Sequence, residues 1–253
     1  MRRIENRMNR SLVETVRVLS GRRDVCFGTF HGFHPNSTVM NLVDLPSKKN
    51  KVFRIETDGG NVVLKVFRTG KAQWEFSVLE KALSRGLMVP EPYILVENLM
   101  LLEFIEGRTV SELLDQSLDS EYIVGVAKWF AKFHESFRKG ELTLIKSDSN
   151  LKNFLVSEYG VVGVDFELAR IGNPIEDLGE ACAYLLDTDP MFTAKKYELC
   201  RVFLRTYQEA TGSRLVGMSQ SIASALKEAA RFRKNQRDTL LLKAAEISKT
   251  RVF

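Results

Sequence analysis

Two short β-prone runs, VFRIET (52–57) and VVLKVF (62–67), are joined by Asp58-Gly59-Gly60-Asn61. Glycine accepts positive φ without a steric penalty, so this junction is a strong hairpin signal and fixes two antiparallel neighbours. A third run, VMNLVDL (39–45), precedes them, and the spacing predicts a three-stranded antiparallel meander. A helix is predicted over 70–85, with Trp74, Val78, Leu79 and Leu83 turned inward, ending near Gly86 and before Pro90. Two more strands, YILVE (93–97) and LMLLEFI (99–105), then close at Glu106-Gly107. The order β-β-β-α-β-β lays one helix against a five-stranded antiparallel sheet, an α+β arrangement.

Beyond Gly107 the pattern is mainly helical, over 109–116, 120–138, 175–187, 192–211 and 219–248. Residues 142–166 break it with short apolar runs, LTLI, NFLVS and GVVGVDF, set among polar loops. The chain of 253 residues therefore reads as two lobes. Residues 1–37 are expected to form a basic amphipathic helix and extension, 38–106 an α+β N-lobe, and 107–253 a helical C-lobe. No repeat or low-complexity tract interrupts this organisation.

No apolar run approaches the roughly 20 residues that span a bilayer, and the first residues lack the apolar core of a signal peptide. A cytoplasmic protein with no membrane partner is expected. Cys26, Cys182 and Cys200 are scattered, without a C-x-x-C pair, and read as reduced thiols. His31 and His34 read as loop packing and His134 as a packed helix residue, while Trp74 and Trp129 read as core. Charge is unevenly placed: residues 1–23 carry net +5, residues 227–253 carry net +5, and the body between them totals −5. Two basic ends on an acidic body are either solvated helix faces or a footprint for a polyanion such as RNA.

Several polar residues stand where burial makes them costly. Lys65 lies inside the apolar strand VVLKVF, where an ammonium needs an anionic partner. Glu75, ten residues on, lies on the helix expected to cover that sheet. Asp148 and Asn153, five apart in KSDSNLKN, precede the apolar run FLV, and Asp165 closes GVVGVDF. Asp177 opens the helix after Gly172-Asn173-Pro174. Taken singly each has a plainer reading: an exposed strand face for Lys65, a solvated helix residue for Glu75, a turn at Asp148, a cap at Asp165, a first-turn acid at Asp177. Together they supply what phosphoryl transfer requires: cation near phosphates, a carboxylate to aim a hydroxyl, and hard oxygen ligands for a divalent ion.

The series VLKVF, WEFSVLEKAL, LLEFIEG, KSDSNLKNFLV and VDFELARIGNPIEDLGE resembles the protein-kinase-like superfamily over about residues 38–190. It is closest in style to the aminoglycoside phosphotransferase, RIO and KEOPS-associated small kinases. The resemblance implies ATP and Mg2+ as cofactors, Lys65 as the phosphate-binding lysine and Glu75 as its ion-pair partner. It implies Asp148 as catalytic base, Asn153 and Asp165 as metal ligands, and Asp177 as the brace of the catalytic loop. Glu103, Phe104 and Ile105 resemble the hinge that meets adenine. Two departures stand out. Lys146-Ser147 replaces the family's His-Gly or His-Arg, and the loop Pro46-Ser47-Lys48-Lys49-Asn50 has no glycine, so Ser47, Lys48 or Lys49 would meet the phosphates.

Only about 40 residues separate Gly107 from the catalytic loop, too few for the extra helices that enclose small substrates in the aminoglycoside branch. An open cleft suited to a macromolecule is expected, and the basic C-terminal helix should repel polycations if it lies near that cleft. With the basic termini, this points to RNA as acceptor, resembling kinases of a tRNA ribose 2′-hydroxyl. The alternatives are a RIO-like Ser/Thr protein kinase, a small-molecule kinase of the aminoglycoside phosphotransferase type, and a nucleotide-binding pseudokinase.

Overall fold

The computed structural model describes residues 37–249 apart from Lys48, together with Glu14 and Val16. The expectations for Cys26, His31, His34 and Lys48, and most of the basic N-terminal helix, lie outside the described residues. The chain has a two-lobed fold: the described residues up to 83 form one compact unit with 90–105, and 84–89 form the other with the described residues from 106 onward.

The first unit is built on β1 (Val39–Leu45), β2 (Lys51–Thr57), β3 (Gly60–Val66), β4 (Pro92–Val96) and β5 (Leu99–Glu103), with helix α1 (Ala72–Ser84) between β3 and β4. All neighbours are antiparallel in the order β1-β2-β3-β5-β4. The hairpin closes as sequence predicts, Thr57 pairing with Gly60 across Asp58-Gly59, and Gly60 takes φ +120. Pro92, which has no N–H to give a ladder, starts the edge strand β4. Central β3 places Lys65 between Val52 of β2 and Met100 of β5. Val16, Val39, Ile55, Val62, Leu64, Leu99 and Leu101 form the apolar core beside it.

Helix α1 turns Ala72, Glu75, Val78, Leu79 and Ala82 inward. Trp74, expected in the core, is 38% exposed. The reason is rotational: the inner stripe runs 72-75-78-79-82, so the carboxylate of Glu75 takes the buried position beside Trp74 because it meets Lys65 there.

The second unit contains α2 (Val110–Gln116), α3 (Ser120–Ser136), α4 (Pro174–Leu186), α5 (Ala194–Thr211), α6 (Met218–Phe232) and α7 (Arg237–Lys249). Short strands β6 (Arg108–Thr109), β8 (Phe154–Ser157) and β9 (Gly160–Gly163) form one sheet, and β7 (Thr143–Ile145) with β10 (Arg170–Gly172) another. Caps written in the sequence start the helices: Thr109 with Glu112 and Asn173 with Glu176 form capping boxes, and Pro174 opens α4 at a position where its missing N–H costs nothing. Helix α3 packs on α5, and α6 packs on both α4 and α7. Trp129, Phe130, Phe133, Phe154 and Phe166 make the aromatic core, with Trp129 and Phe133 stacked at 5.0 Å.

One expected helix, 219–248, is two. The chain leaves helical geometry at Arg233, φ −110 and ψ 73, and passes through the 3-10 turn Lys234–Gln236. No glycine or proline marks the break. Arg233 instead donates to the Asp187 carbonyl at 2.8 Å and approaches its carboxylate at 3.1 Å, a tertiary tie that local propensity cannot reveal. Among the described residues no helix is long and apolar enough to cross a membrane.

Gly179 marks the closest approach of α4 to α6, where a Cβ would collide with Ser221, itself bonded to the Ile175 carbonyl at 2.9 Å. Gly179→Ala should therefore destabilise the fold by about 1–3 kcal/mol through overpacking, despite alanine's better helix propensity. Urea unfolding checks this, and a stabilised variant would show that the helices simply move apart.

Candidate active site

In the first unit, β3 and α1 bring Lys65 Nζ to 2.7 Å from Glu75 Oε2. The side chains are 7% and 2% exposed, so each charge is desolvated and depends on the other. The ammonium also sits 4.8 Å from the Phe67 ring centroid. Glu103 ends β5, its N–H bonded to the Glu91 carbonyl at 2.9 Å and its carboxylate to the Glu91 N–H at 3.1 Å; Phe104 and Ile105 continue without regular structure. Ser47 spends its hydroxyl within its own loop, accepting from the Asn50 N–H at 3.3 Å.

In the second unit, the loop 146–150 runs from the end of β7 to the 3-10 turn Leu151–Asn153. Asp177, fully buried in the first turn of α4, organises it. Its carboxylate accepts from the amides of Lys146 at 2.6 Å and Ser147 at 2.8 Å, and from the Ser149 hydroxyl at 2.9 Å. His134 Nε2 lies 3.0 Å away on the remaining side, and Nδ1 lies 3.0 Å from the Tyr207 hydroxyl. A carboxylate only accepts, which assigns the proton to Nε2 and, in the neutral ring, leaves Nδ1 to accept from Tyr207. Burial alone would push the Asp177 carboxyl up; the bonds from His134 and the two amides outweigh it and hold the group below the usual range.

Asn153 donates Nδ2 to the Asp148 carbonyl at 3.2 Å, a bond that does not use its Oδ1. Its own carbonyl accepts from the Val164 N–H at 2.9 Å, next to Asp165. Ser147 and Asp165 both adopt left-handed backbone, φ 58 and φ 63, conformations that non-glycine residues keep where surrounding bonds impose them. The side-chain oxygens of Asp148, Asn153 and Asp165 are hard donors of the kind magnesium takes, and the second unit holds their backbones together through one hydrogen-bonded network.

Four participants escaped the sequence reading. Lys146 is fully buried, donating to the carbonyls of Asp148 at 2.9 Å and Asp165 at 2.7 Å. His134 orients Asp177 rather than merely packing. Glu180, one turn after Asp177, accepts from the Ser149 N–H at 3.0 Å, and burial together with the charges of Asp177 and Asp148 raises its carboxyl to about 7. Asp187, the C-cap of α4, is 1% exposed and raised to about 6 by burial, with Arg233 opposing. Arg233 approaches one oxygen without aligning a hydrogen bond, and neither oxygen accepts one. The spacing 177-180-187 on one helix was the available signal.

Two cavities flank this loop and share Tyr184. One, about 250 Å³, is lined by Asn150, Lys152, Asp115 and Asp189 among others; the second, about 370 Å³, lies against Ser147 and α6. The second is lined by Glu176, Asp177, Glu180, Asp187 and Glu228 with Arg170; Glu176 pairs with Arg170, Glu228 with Arg231 and Asp187 with Arg233, while Asp177 is fully buried in the loop network. The second cavity is of small-molecule size.

No family model matches the sequence, and no curated protein matches it. Solved structures share its fold. Amicoumacin kinase hAmiN in complex with AMP-PNP, Ca2+ and Ami is 14% identical with a TM-score of 0.63, over 83% of this chain and 89% of that one. Choline kinase from Cryptosporidium parvum is 12% identical with a TM-score of 0.64, again over 83% and 89%. A thermostable mutant of aminoglycoside phosphotransferase APH(4)-Ia is 15% identical with a TM-score of 0.60, over 84% and 95%. The chain thus has the protein-kinase-like fold in the form shared by aminoglycoside phosphotransferases and choline kinases. Nothing in these likenesses singles out a RIO, KEOPS-associated or RNA kinase.

Proposed function

We propose that the chain is an ATP-dependent phosphotransferase that moves the γ-phosphate to a hydroxyl of a small molecule bearing a primary or secondary amine. Lys65, held by Glu75, meets the nucleotide phosphates, and the backbone of Glu103 to Ile105 meets adenine. Asp148 accepts the proton of the acceptor hydroxyl as that oxygen attacks phosphorus. Asn153 and Asp165 hold magnesium, which supplies charge neutralisation at the phosphoryl oxygens when bound.

The observation that carries the choice of acceptor is Glu180, a partly buried carboxylate that lines the second cavity together with Asp187, beside the loop that presents Asp148. An N–H-bearing ammonium satisfies it by charge-assisted hydrogen bonding. A quaternary ammonium has no N–H and relies on an aromatic cage, whereas Tyr184 and Phe232 are the cavity's only aromatic residues. The fold relatives include kinases of choline and aminoglycosides, which supports a small cationic acceptor over RNA or protein.

The test is transfer from labelled ATP and Mg2+ to a panel of amino alcohols, aminoglycosides and choline, beside total RNA and total protein. Label should enter amines carrying N–H in preference to choline. Because Glu180 and Asp187 titrate near about 7 and about 6, an ammonium that needs them ionised must expel their protons. Amine affinity should thus rise by about tenfold per pH unit for each proton released as pH climbs toward 7, then level off. Calorimetry across pH 5.5 to 8 reads this, and pH-independent affinity would remove both carboxylates from the site.

A second reading, RNA as acceptor, is favoured by one feature. Phe232 is 79% exposed within RFRKNQR, flanked by Arg231, Lys234 and Arg237, a basic and aromatic surface of the kind that stacks single-stranded bases. Label entering tRNA, with binding that weakens steeply as salt rises, would decide for it. Label confined to protein would decide for a RIO-like kinase, and nucleotide binding without transfer to any acceptor for a pseudokinase.

A further inference from the structure

Lys146 carries an ammonium with no exposure to solvent. Burying such a charge is costly unless the fold gains from it. Its Nζ bridges two main-chain carbonyls, those of Asp148 and Asp165, the second nineteen residues away from Lys146 in sequence. The Asp148 carbonyl also accepts from Asn153 Nδ2, and the Asn153 carbonyl accepts from the Val164 N–H. These four bonds close a ring through Lys146, Asp148, Asn153 and the Val164-Asp165 pair. Every second-unit residue assigned to the acceptor hydroxyl or to metal is a member. The two left-handed residues lie on the arms that leave Lys146, Ser147 on the way to Asp148 and Asp165 itself. The ring centroids of Phe166 and Phe154 lie 5.3 Å and 5.9 Å from Nζ, within reach of a cation–π contact.

We infer that Lys146 is a positioning residue whose ammonium sets the spacing between the backbones of Asp148 and Asp165, and thereby the metal-ligand geometry of Asn153 and Asp165. The inference rests on the phosphotransferase reading. A neutral donor with a single N–H could bond one carbonyl and leave the other buried and unsatisfied. The lysine ammonium, with three donors, satisfies both at once. Lys146 stands where the sequence departs from the family pattern, and there it ties the loop to the metal-binding segment from below, while Asp177 ties it from the side.

The experiment compares wild type with Lys146→Met, which keeps the volume and removes the donors, and Lys146→Gln, which is shorter and keeps neutral N–H groups. Mn2+ binding by the protein with AMP-PNP is followed by the enhancement of water-proton relaxation over that of Mn2+–AMP-PNP alone, and slow hydrolysis of ATP to water is followed beside it. Both variants should bind Mn2+ about 10–100-fold more weakly. ATP hydrolysis should fall in kcat while the KM for ATP stays within about threefold, since Lys65 and the hinge are untouched. Either variant, folded by circular dichroism and binding Mn2+ as wild type does, overturns the inference and leaves Lys146 a packing residue. Wild-type protein that binds no Mn2+ with AMP-PNP overturns the phosphotransferase reading itself, and the inference with it.

Discussion

Asp148→Ala should lower turnover by about 10²–10⁴-fold, the usual worth of a positioned general base, while leaving nucleotide affinity within about threefold. The reasoning is geometric. Asp148 joins the loop network through its main-chain carbonyl, which accepts from Lys146 and Asn153. That oxygen survives truncation of the side chain, so the ring around it should persist and the fold should lose little stability. Only the carboxylate goes, and with it the acceptor for the hydroxyl proton. Single-turnover transfer from labelled ATP to the best acceptor of the panel is the measurement. Loss of nucleotide binding in step with turnover would show that Asp148 supports the fold or the phosphates, and would withdraw its assignment as base.

How much of this was legible follows from where the information lies. The hairpin at Asp58-Gly59 and the apolar strand around Lys65 are local, and a sequence pattern reveals them. The Lys65–Glu75 contact was legible because an ammonium in an apolar strand must find an acid, and a helix ten residues on offered one. Trp74 failed because hydrophobicity and burial disagree where an ion pair claims the inner face of the helix. The break at Arg233 failed because its cause, Asp187, is 46 residues distant. In the sequence Lys146 shows only as a departure from pattern and His134 only as packing, since a hydrogen bond to a remote carbonyl or carboxylate leaves no periodic trace. The second cavity was hidden in the same way: Glu180 and Asp187 look like ordinary helix acids until α6 covers them.

Asp177→Ala should cost about 3–5 kcal/mol, the penalty for removing one partner of a buried charged network. Four donors converge on that carboxylate: two amides, the Ser149 hydroxyl and His134. Truncation leaves all four buried without an acceptor, and Tyr207 loses an oriented imidazole as well. Set against a typical stability of about 5–15 kcal/mol, this is enough to lower the urea midpoint sharply. The pH dependence has a fixed sign. A carboxyl held below its usual value contributes stability that is complete above that value and is lost as pH falls through the lower, folded one. Acid unfolding of the wild type should therefore release this contribution at low pH, and Asp177→Ala should show less of that acid limb. A variant within about 1 kcal/mol of wild type, with the same acid profile, would mean that the loop is held by its other ties, to Lys146, Asn153 and Glu180.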